Sequence, residues 1–192
     1  MIYLNDDIAH FDWQAALPLL SEQRREQCLR FKHELGRKTC AAAYLLLCEA
    51  LRKEYGISEP PVFEYGEHGK PTIVGHPDIY FNLSHCREAA ICVVSDKPVG
   101  VDIETIRPYK ETLARYVMND DELEKILHAE NPALEFTKLW THKEAVVKLS
   151  GHGISNDMKT VLKGRVFEGF AFEIQTVVTD HYVYSLTKPI LL

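Results

Sequence analysis

Apolar residues recur along this chain with two different periods, and the places where the period changes predict its elements. Residues 35–55 carry a broad apolar stripe through Ala41, Leu45, Cys48 and Leu51, and Gly56 follows as a stop signal. That pattern predicts one long helix. Residues 62–65 and 72–74 read as short strands around the turn-rich GEHGKP. Two firmer strands follow, IYFNLS (79–84) and AAICVVS (89–95). The loop Asp96-Lys97-Pro98 leads into VGVDIE (99–104), so 89–104 reads as a hairpin. A helix over about 119–129 has Asp120, Asp121 and Glu122 in its first turn, where the helix dipole favours them. A second spans 132–150, with Asn131 as N-cap, Pro132 at the first position and Gly151 after the end. The tail 165–187 alternates as strands, with Phe170, Phe172 and Ile174 on one face. The sum is an α+β chain with antiparallel strands in both halves.

Composition narrows the class. At 192 residues the chain suits one large domain or two small halves sharing a core. Folding at this length buries roughly 70% of the unfolded surface, so no disulfide or metal staple is required. Apolar residues make up 46% and charged residues 26%, which excludes a disordered chain. No apolar run approaches the ~18 residues that would span a bilayer. The opening MIYLNDDIAHFDWQ, with two early acids and no basic residue, resembles neither a signal nor a transit peptide. The formal net charge is −6, the wrong sign for a protein whose main partner is nucleic acid. The five cysteines are odd in number and contain no C-x-x-C pair. Buried free thiols and a reducing, cytoplasmic setting are expected, without a membrane partner.

Charge is nevertheless uneven. Segment 21–38 holds six basic residues against three acids. It reads either as a solvated helix face laced with i,i+4 pairs or as an anion site. The strand VGVDIE turns Val99, Val101 and Ile103 to one side and Asp102 and Glu104 to the other, with Gly100. Two carboxylates, roughly 6–7 Å apart at their Cα atoms, repel each other unless water or a cation intervenes. The pair is either a polar outer face or half of a site for a hard divalent cation such as Mg²⁺. In LWTHKEAVVKLSG, Leu139, Val146 and Leu149 form a buried stripe, with Glu144 at its edge one turn from Trp140 and Lys148. Glu144 and Lys148 form either a surface ion pair or a third metal carboxylate with a lysine for a phosphate. Other familiar motifs are missing: Pro71 stands where a P-loop needs Ser or Thr, and the histidines show no zinc spacing. His85 and Cys86 are adjacent, so extended backbone points them to opposite faces and a thiol nucleophile is not expected.

Together these residues resemble the 4′-phosphopantetheinyl transferases. Gly100-Val101-Asp102-Ile103-Glu104, followed by Trp140-x-x-Lys143-Glu144-Ala145-x-x-Lys148, is similar to that family's signature pair. Arg37-Lys38, Gly69-Lys70-Pro71 and Phe81-Asn82-Leu83-Ser84-His85 add the motifs of its larger, surfactin-synthetase-activating type, and the match spans residues 21–153. The chain departs from the pattern at Cys86, where a serine often follows Ser-His, and at His152, which stands between Gly151 and Gly153 in place of the commoner lysine.

The resemblance implies two pseudo-symmetric halves, each an antiparallel sheet packed with a long helix. Residues 1–98 would carry the coenzyme A nucleotide-binding residues, and 99–192 the metal site and catalytic helix. It implies Mg²⁺-dependent transfer of the 4′-phosphopantetheine arm of coenzyme A to a serine of an acyl or peptidyl carrier protein, releasing 3′,5′-ADP, by a monomer. Asp102, Glu104 and Glu144 would hold the metal. Glu144, directly or through a metal-bound water, would take the serine proton, with Lys148, Asp102 and His85 also catalytic. Arg37 would serve the 3′-phosphate, Lys70 and Ser84 the adenine and ribose side, and His85 and Lys148 the phosphates. Lys143 points into the apolar stripe, where its stem could snorkel. Two other readings compete: a coenzyme A or carrier-binding module without turnover, and a metal-dependent pyrophosphatase.

Overall fold

A computed structural model describes residues 1–151 and 158–190. His152 and Gly153, the site of the second departure noted above, lie outside the described residues. Two antiparallel sheets each pack on a long helix, as an α+β fold requires. The first has the order β1 (Ile2–Asn5), β5 (Ala90–Ser95), β4 (Tyr80–His85), and it lies on α3 (Glu34–Tyr55). The second joins β6 (Gly100–Thr105), β9 (Tyr182–Pro189), β8 (Phe170–Val178) and β7 (Val166–Phe167), and α6 (Pro132–Ser150) crosses it. A separate ribbon, β2 (Phe63–Tyr65) with β3 (Pro71–Ile73), flanks α3. Shorter helices complete the chain: α1 (Trp13–Ala16), α2 (Glu22–Arg30), α4 (Glu111–Val117) and α5 (Asp120–His128).

The local signals act where the sequence places them. Asn131 caps α6 by accepting from the Leu134 amide, Pro132 opens it, and Gly151 closes it at φ 77°. Asn119 and Glu122 form a reciprocal capping box on α5. The α3 stripe is broader than expected, because Thr39–Tyr44 are all buried. Its Cys40 and the nearby Cys28, Cys86 and Cys92 are buried as well, and all five cysteines are free.

The expected hairpin 89–104 does not form. A strand has two edges, and both edges of β5 are taken: β4 pairs with one and β1 with the other. The true hairpin is β4–β5, closed by the Cys86 amide donating to the Ala89 carbonyl at 2.8 Å. Strand β1, whose four residues carry only a short apolar alternation, is what displaces β6 into the second sheet. This explains the nearly unbroken apolar run of β5. Ala90, Cys92 and Val94 face α3, while Ile91 and Val93 meet Val101, Ile103 and Leu186 in a layer between the sheets.

Gly100 lets β6 touch α6. A Cβ there would stand 2.0 Å from the Ala145 carbonyl oxygen and 2.6 Å from the Leu149 nitrogen. Both obstacles are backbone, so neither can swing aside. Gly100→Ala is expected to cost at least ~2–3 kcal/mol, read as a lower urea midpoint.

A buried hydroxyl chain lies beneath α6. His142 Nε2 meets Thr176 Oγ1 at 2.8 Å, Thr176 meets Ser185 at 3.2 Å, and Ser185 meets Thr141 at 2.8 Å. Burial, then the Lys138 and Arg165 cations, push the imidazole down to about 4, with Glu135 opposing. Between its unfolded value near 6.5 and this folded value, the unfolded chain takes up a proton that the fold refuses. His142 therefore withdraws stability as pH falls from about 6.5 towards 4. Thermal melts over that window should show a steeper loss for wild type than for His142→Gln, by on the order of 2 kcal/mol.

Candidate functional site

The two sheets meet along β4 and β6, and side chains there replace the backbone ladder. Asn82 Oδ1 accepts from the Val101 amide at 3.0 Å, and Ser84 Oγ accepts from the Ile103 amide at 3.2 Å. Ser84 then donates to Asp102 Oδ1 at 2.8 Å. Thr105, at the end of β6, donates to Glu88 in the β4–β5 turn at 2.5 Å. These contacts aim Asp102 and Glu104 at α6, which crosses at Gly100.

On α6, Lys148 Nζ donates to Asp102 Oδ1 at 2.6 Å and to Ser84 Oγ at 3.0 Å. The ion pair Lys148–Asp102 therefore joins the sheets through Ser84. Glu104 accepts from Trp140 Nε1 at 3.3 Å. Glu144 lies one turn before Lys148. Burial, then its Asp102 neighbour, push the Glu144 carboxyl up to about 7, with Lys148 opposing and Glu104 adding to the rise. Glu104 is raised by the same two leading causes. Each carboxylate thus feels another, as the sequence spacing implies.

Asp102 Oδ2 and Glu144 Oε1 are buried without a hydrogen-bond partner among the described residues. Orphaned carboxylate oxygens in a dry place are costly unless a cation sits against them. The donor set is all oxygen and suits a hard cation. Among the described residues no three His, Cys, Asp or Glu side chains form a ready-made cage. Asp102 is turned towards Lys148 and Glu104 towards Trp140, so a cation here would take further ligands from what it binds with.

Two hollows flank this cluster. One, of about 300 Å³, is lined by Lys70, Asn82, Leu83, Glu144, Lys148 and Gly151 among others. Lys70 reaches from the loop before β3 to donate to the Leu149 carbonyl at 3.0 Å, capping α6, and desolvation lowers its pKa. The other, of about 530 Å³, is lined by Glu104, Arg107, Tyr109, Leu113, Phe136 and Trp140 among others.

Of the remaining sequence-predicted residues, His85 adjoins the cluster, while the contacts of Arg37 are with Phe31, Trp13 and Cys28. His85 ends β4, and desolvation, then Lys148 and Arg24, hold its imidazole below the ordinary value. Arg37 donates from Nε to the Phe31 carbonyl and stacks over Trp13 at 4.9 Å. Sequence reasoning passed over Arg24, which lies over the Tyr44 ring and donates to the Cys40 carbonyl. Only its place in the basic segment singled it out. Cys86 donates to Glu88, and burial pushes its thiol up to about 11, which removes the thiolate a nucleophile needs.

Lys143 does not snorkel. It is fully buried, pairs with Glu122 at 2.8 Å and donates to the Met158 carbonyl at 2.6 Å. Glu122 also accepts from the Asn119 amide, so one carboxylate ties α5 to the helix that carries Glu144.

Comparisons with known proteins agree with one another. A family model described as the 4′-phosphopantetheinyl transferase superfamily matches residues 98–177. A 4′-phosphopantetheinyl transferase of Bacillus subtilis is 31% identical over 159 residues, covering 80% of this chain and 70% of the relative. The 4′-phosphopantetheinyl transferase Sfp of Bacillus subtilis strain 168 is 27% identical over 157 residues, with the same coverage of 80% and 70%. The 4′-phosphopantetheinyl transferase AcpT of Salmonella typhi is 37% identical over 121 residues, covering 60% of this chain and 59% of the relative.

The buried pair makes the site's framework testable. Lys143→Met strands the Glu122 charge and is expected to cost ~3–5 kcal/mol in denaturant unfolding. Adding Glu122→Gln, which keeps an acceptor for the Asn119 amide, should recover most of that loss.

Proposed function

The chain belongs to the 4′-phosphopantetheinyl transferase superfamily, and on that premise we propose that it transfers the 4′-phosphopantetheine arm of coenzyme A to a serine of an acyl or peptidyl carrier protein, releasing 3′,5′-ADP. The observation that carries this reading is the pair of orphaned carboxylate oxygens, on Asp102 and Glu144, beside Lys148 at the mouth of a pocket.

Asp102, Glu104 and Glu144 would hold Mg²⁺, which when bound neutralises the pyrophosphate charge. The chain's own groups do the rest. The carrier serine oxygen forms a bond to the β-phosphorus as the bond to the bridging oxygen breaks, and the bridging oxygen leaves with 3′,5′-ADP. Charge grows on phosphoryl oxygens, so fixed cations and positioning dominate. Lys148, already directed to this point by Ser84, supplies one such cation. Glu144 accepts the serine proton, directly or through a water it orients. His85 donates to a phosphate. Lys70 and Ser84 line the nucleotide side, although Lys70 must share its donors with the Leu149 carbonyl. The coenzyme's 3′-phosphate, remote from the pyrophosphate, needs a second cationic site. Arg37 serves it, with Arg24 as a neighbour that the basic segment also supplies. The groove past Glu104 and Trp140 is the open side from which a carrier serine would approach. Among the described residues no helix is long and apolar enough to cross a membrane. A monomer working in a reducing compartment completes the reading.

Mass spectrometry of an apo carrier incubated with coenzyme A, Mg²⁺ and the protein is the direct test. The expected result is a mass gain of one phosphopantetheine arm, lost by at least a hundredfold in rate with Glu144→Gln. An unchanged carrier would indicate a binding module. Free phosphopantetheine would indicate a pyrophosphatase.

A further inference from the structure

Thr105 follows Glu104 directly and ends β6. Period-2 alternation puts the two side chains on opposite faces of the strand, so whatever holds one fixes the direction of the other. The turn between β4 and β5 holds Thr105 by its hydroxyl, which donates to Glu88 Oε2 at 2.5 Å and accepts from the Arg87 amide at 3.4 Å. Glu88 is itself tied down twice: Oε2 also accepts from the Cys86 thiol at 3.6 Å, and its carbonyl accepts from the Ile8 amide at 3.3 Å. Glu104 has a weaker hold of its own. Its carboxylate accepts from Trp140 Nε1 at 3.3 Å, a long bond, while burial and the Asp102 carboxylate disfavour its charge. Like charges on one strand face push apart. Ser84 and Lys148 restrain Asp102 against that push. At the strand end, the restraint nearest to Glu104 is the clip on Thr105.

We infer that Glu88 is a positioning residue for the cation site: through Thr105 it fixes the end of β6, and with it the place of Glu104 beside Asp102 and Glu144. This rests on the reading of those three carboxylates as Mg²⁺ ligands, and it adds a residue from the first sheet that lies outside the motifs carrying that reading. Carboxylates free to splay must be gathered before a hard cation can use them. Outer groups that orient a ligand are worth on the order of ten- to a hundredfold in metal affinity. Glu88 acts through the backbone rather than on the carboxylate, so the lower end of that range applies.

Mn²⁺, a paramagnetic stand-in for Mg²⁺, makes the effect measurable without turnover. The resonance of the free ion is titrated with the full chain in saturating coenzyme A, against a blank without protein. Glu88→Ala and Thr105→Val each break the clip, and each is expected to weaken Mn²⁺ binding by about tenfold, referred to the folded fraction seen by circular dichroism. Glu88→Gln keeps an acceptor for the hydroxyl and Thr105→Ser keeps the donor, so both should stay within roughly threefold of wild type. A role in stability alone would lower the melting temperature of the two disruptive variants without moving the Mn²⁺ affinity of the folded protein, and would overturn the inference. An equal loss in Glu88→Gln would overturn it too, because charge rather than the clip would then be responsible. Should Glu88→Ala fail to fold, Thr105→Val, which alters no charge, decides. If wild type retains no more Mn²⁺ than the blank, the cation reading of the three carboxylates fails and this inference with it. A disruptive variant that binds like wild type overturns the inference and leaves that reading standing.

Discussion

The structure hangs on the way β4 meets β6. Each belongs to a different sheet, and no backbone ladder joins them. What joins them is a row of side chains, Asn82, Ser84 and Glu88, taking the amides and hydroxyl of Val101, Ile103 and Thr105. Ser84 stands at the centre, because its single hydroxyl contacts the Ile103 amide, the Asp102 carboxylate and the Lys148 ammonium. Remove the row, and the first sheet keeps α3 while the second keeps α6, but the side-chain rungs that align β4 with β6 are gone. The candidate site lies on this line, where groups from both sheets and α6 come within reach.

Electrostatics explains why two of the three lysines of α6, Lys143 and Lys148, have opposite fates. Lys143 is sealed in, satisfied by Glu122 and a carbonyl, and helps fix how α6 is rotated. Lys148, a little over one turn later, stays partly exposed and offsets only part of the negative charge of Asp102, Glu104 and Glu144. One site is balanced and inert, and the other is left short of positive charge. Burying unbalanced carboxylates costs stability, and active sites characteristically hold that kind of deficit.

Much of this was legible in the sequence, for reasons that differ by element. Helix α6 announces itself by Asn131, Pro132 and Gly151, local signals that tertiary context has no cause to override. The acidic strand is legible because period-2 alternation puts Asp102 and Glu104 on one side whatever β6 pairs with. Its pairing partner was not legible, because the decision belongs to β1, at the far end of the chain, which takes the free edge of β5. Lys143 was misread because a buried charge needs a partner from another helix, and no spacing within α6 names Glu122. Arg24 looked like any other charge on a solvated face; only packing against Tyr44 and Cys40 sets it apart. Asn82 lay inside a recognised motif, yet what its amide does depends on a neighbouring strand.

A backbone ladder is indifferent to mutation, since every residue but proline supplies the same N–H and C=O. The seam between β4 and β6 is different: each rung is a side chain, so each rung is separately heritable. Substitutions at three or four codons could loosen, tighten or tilt one sheet against the other while both sheets stay intact. In a lineage built this way, the geometry of the site can be adjusted without redesigning the fold that presents it.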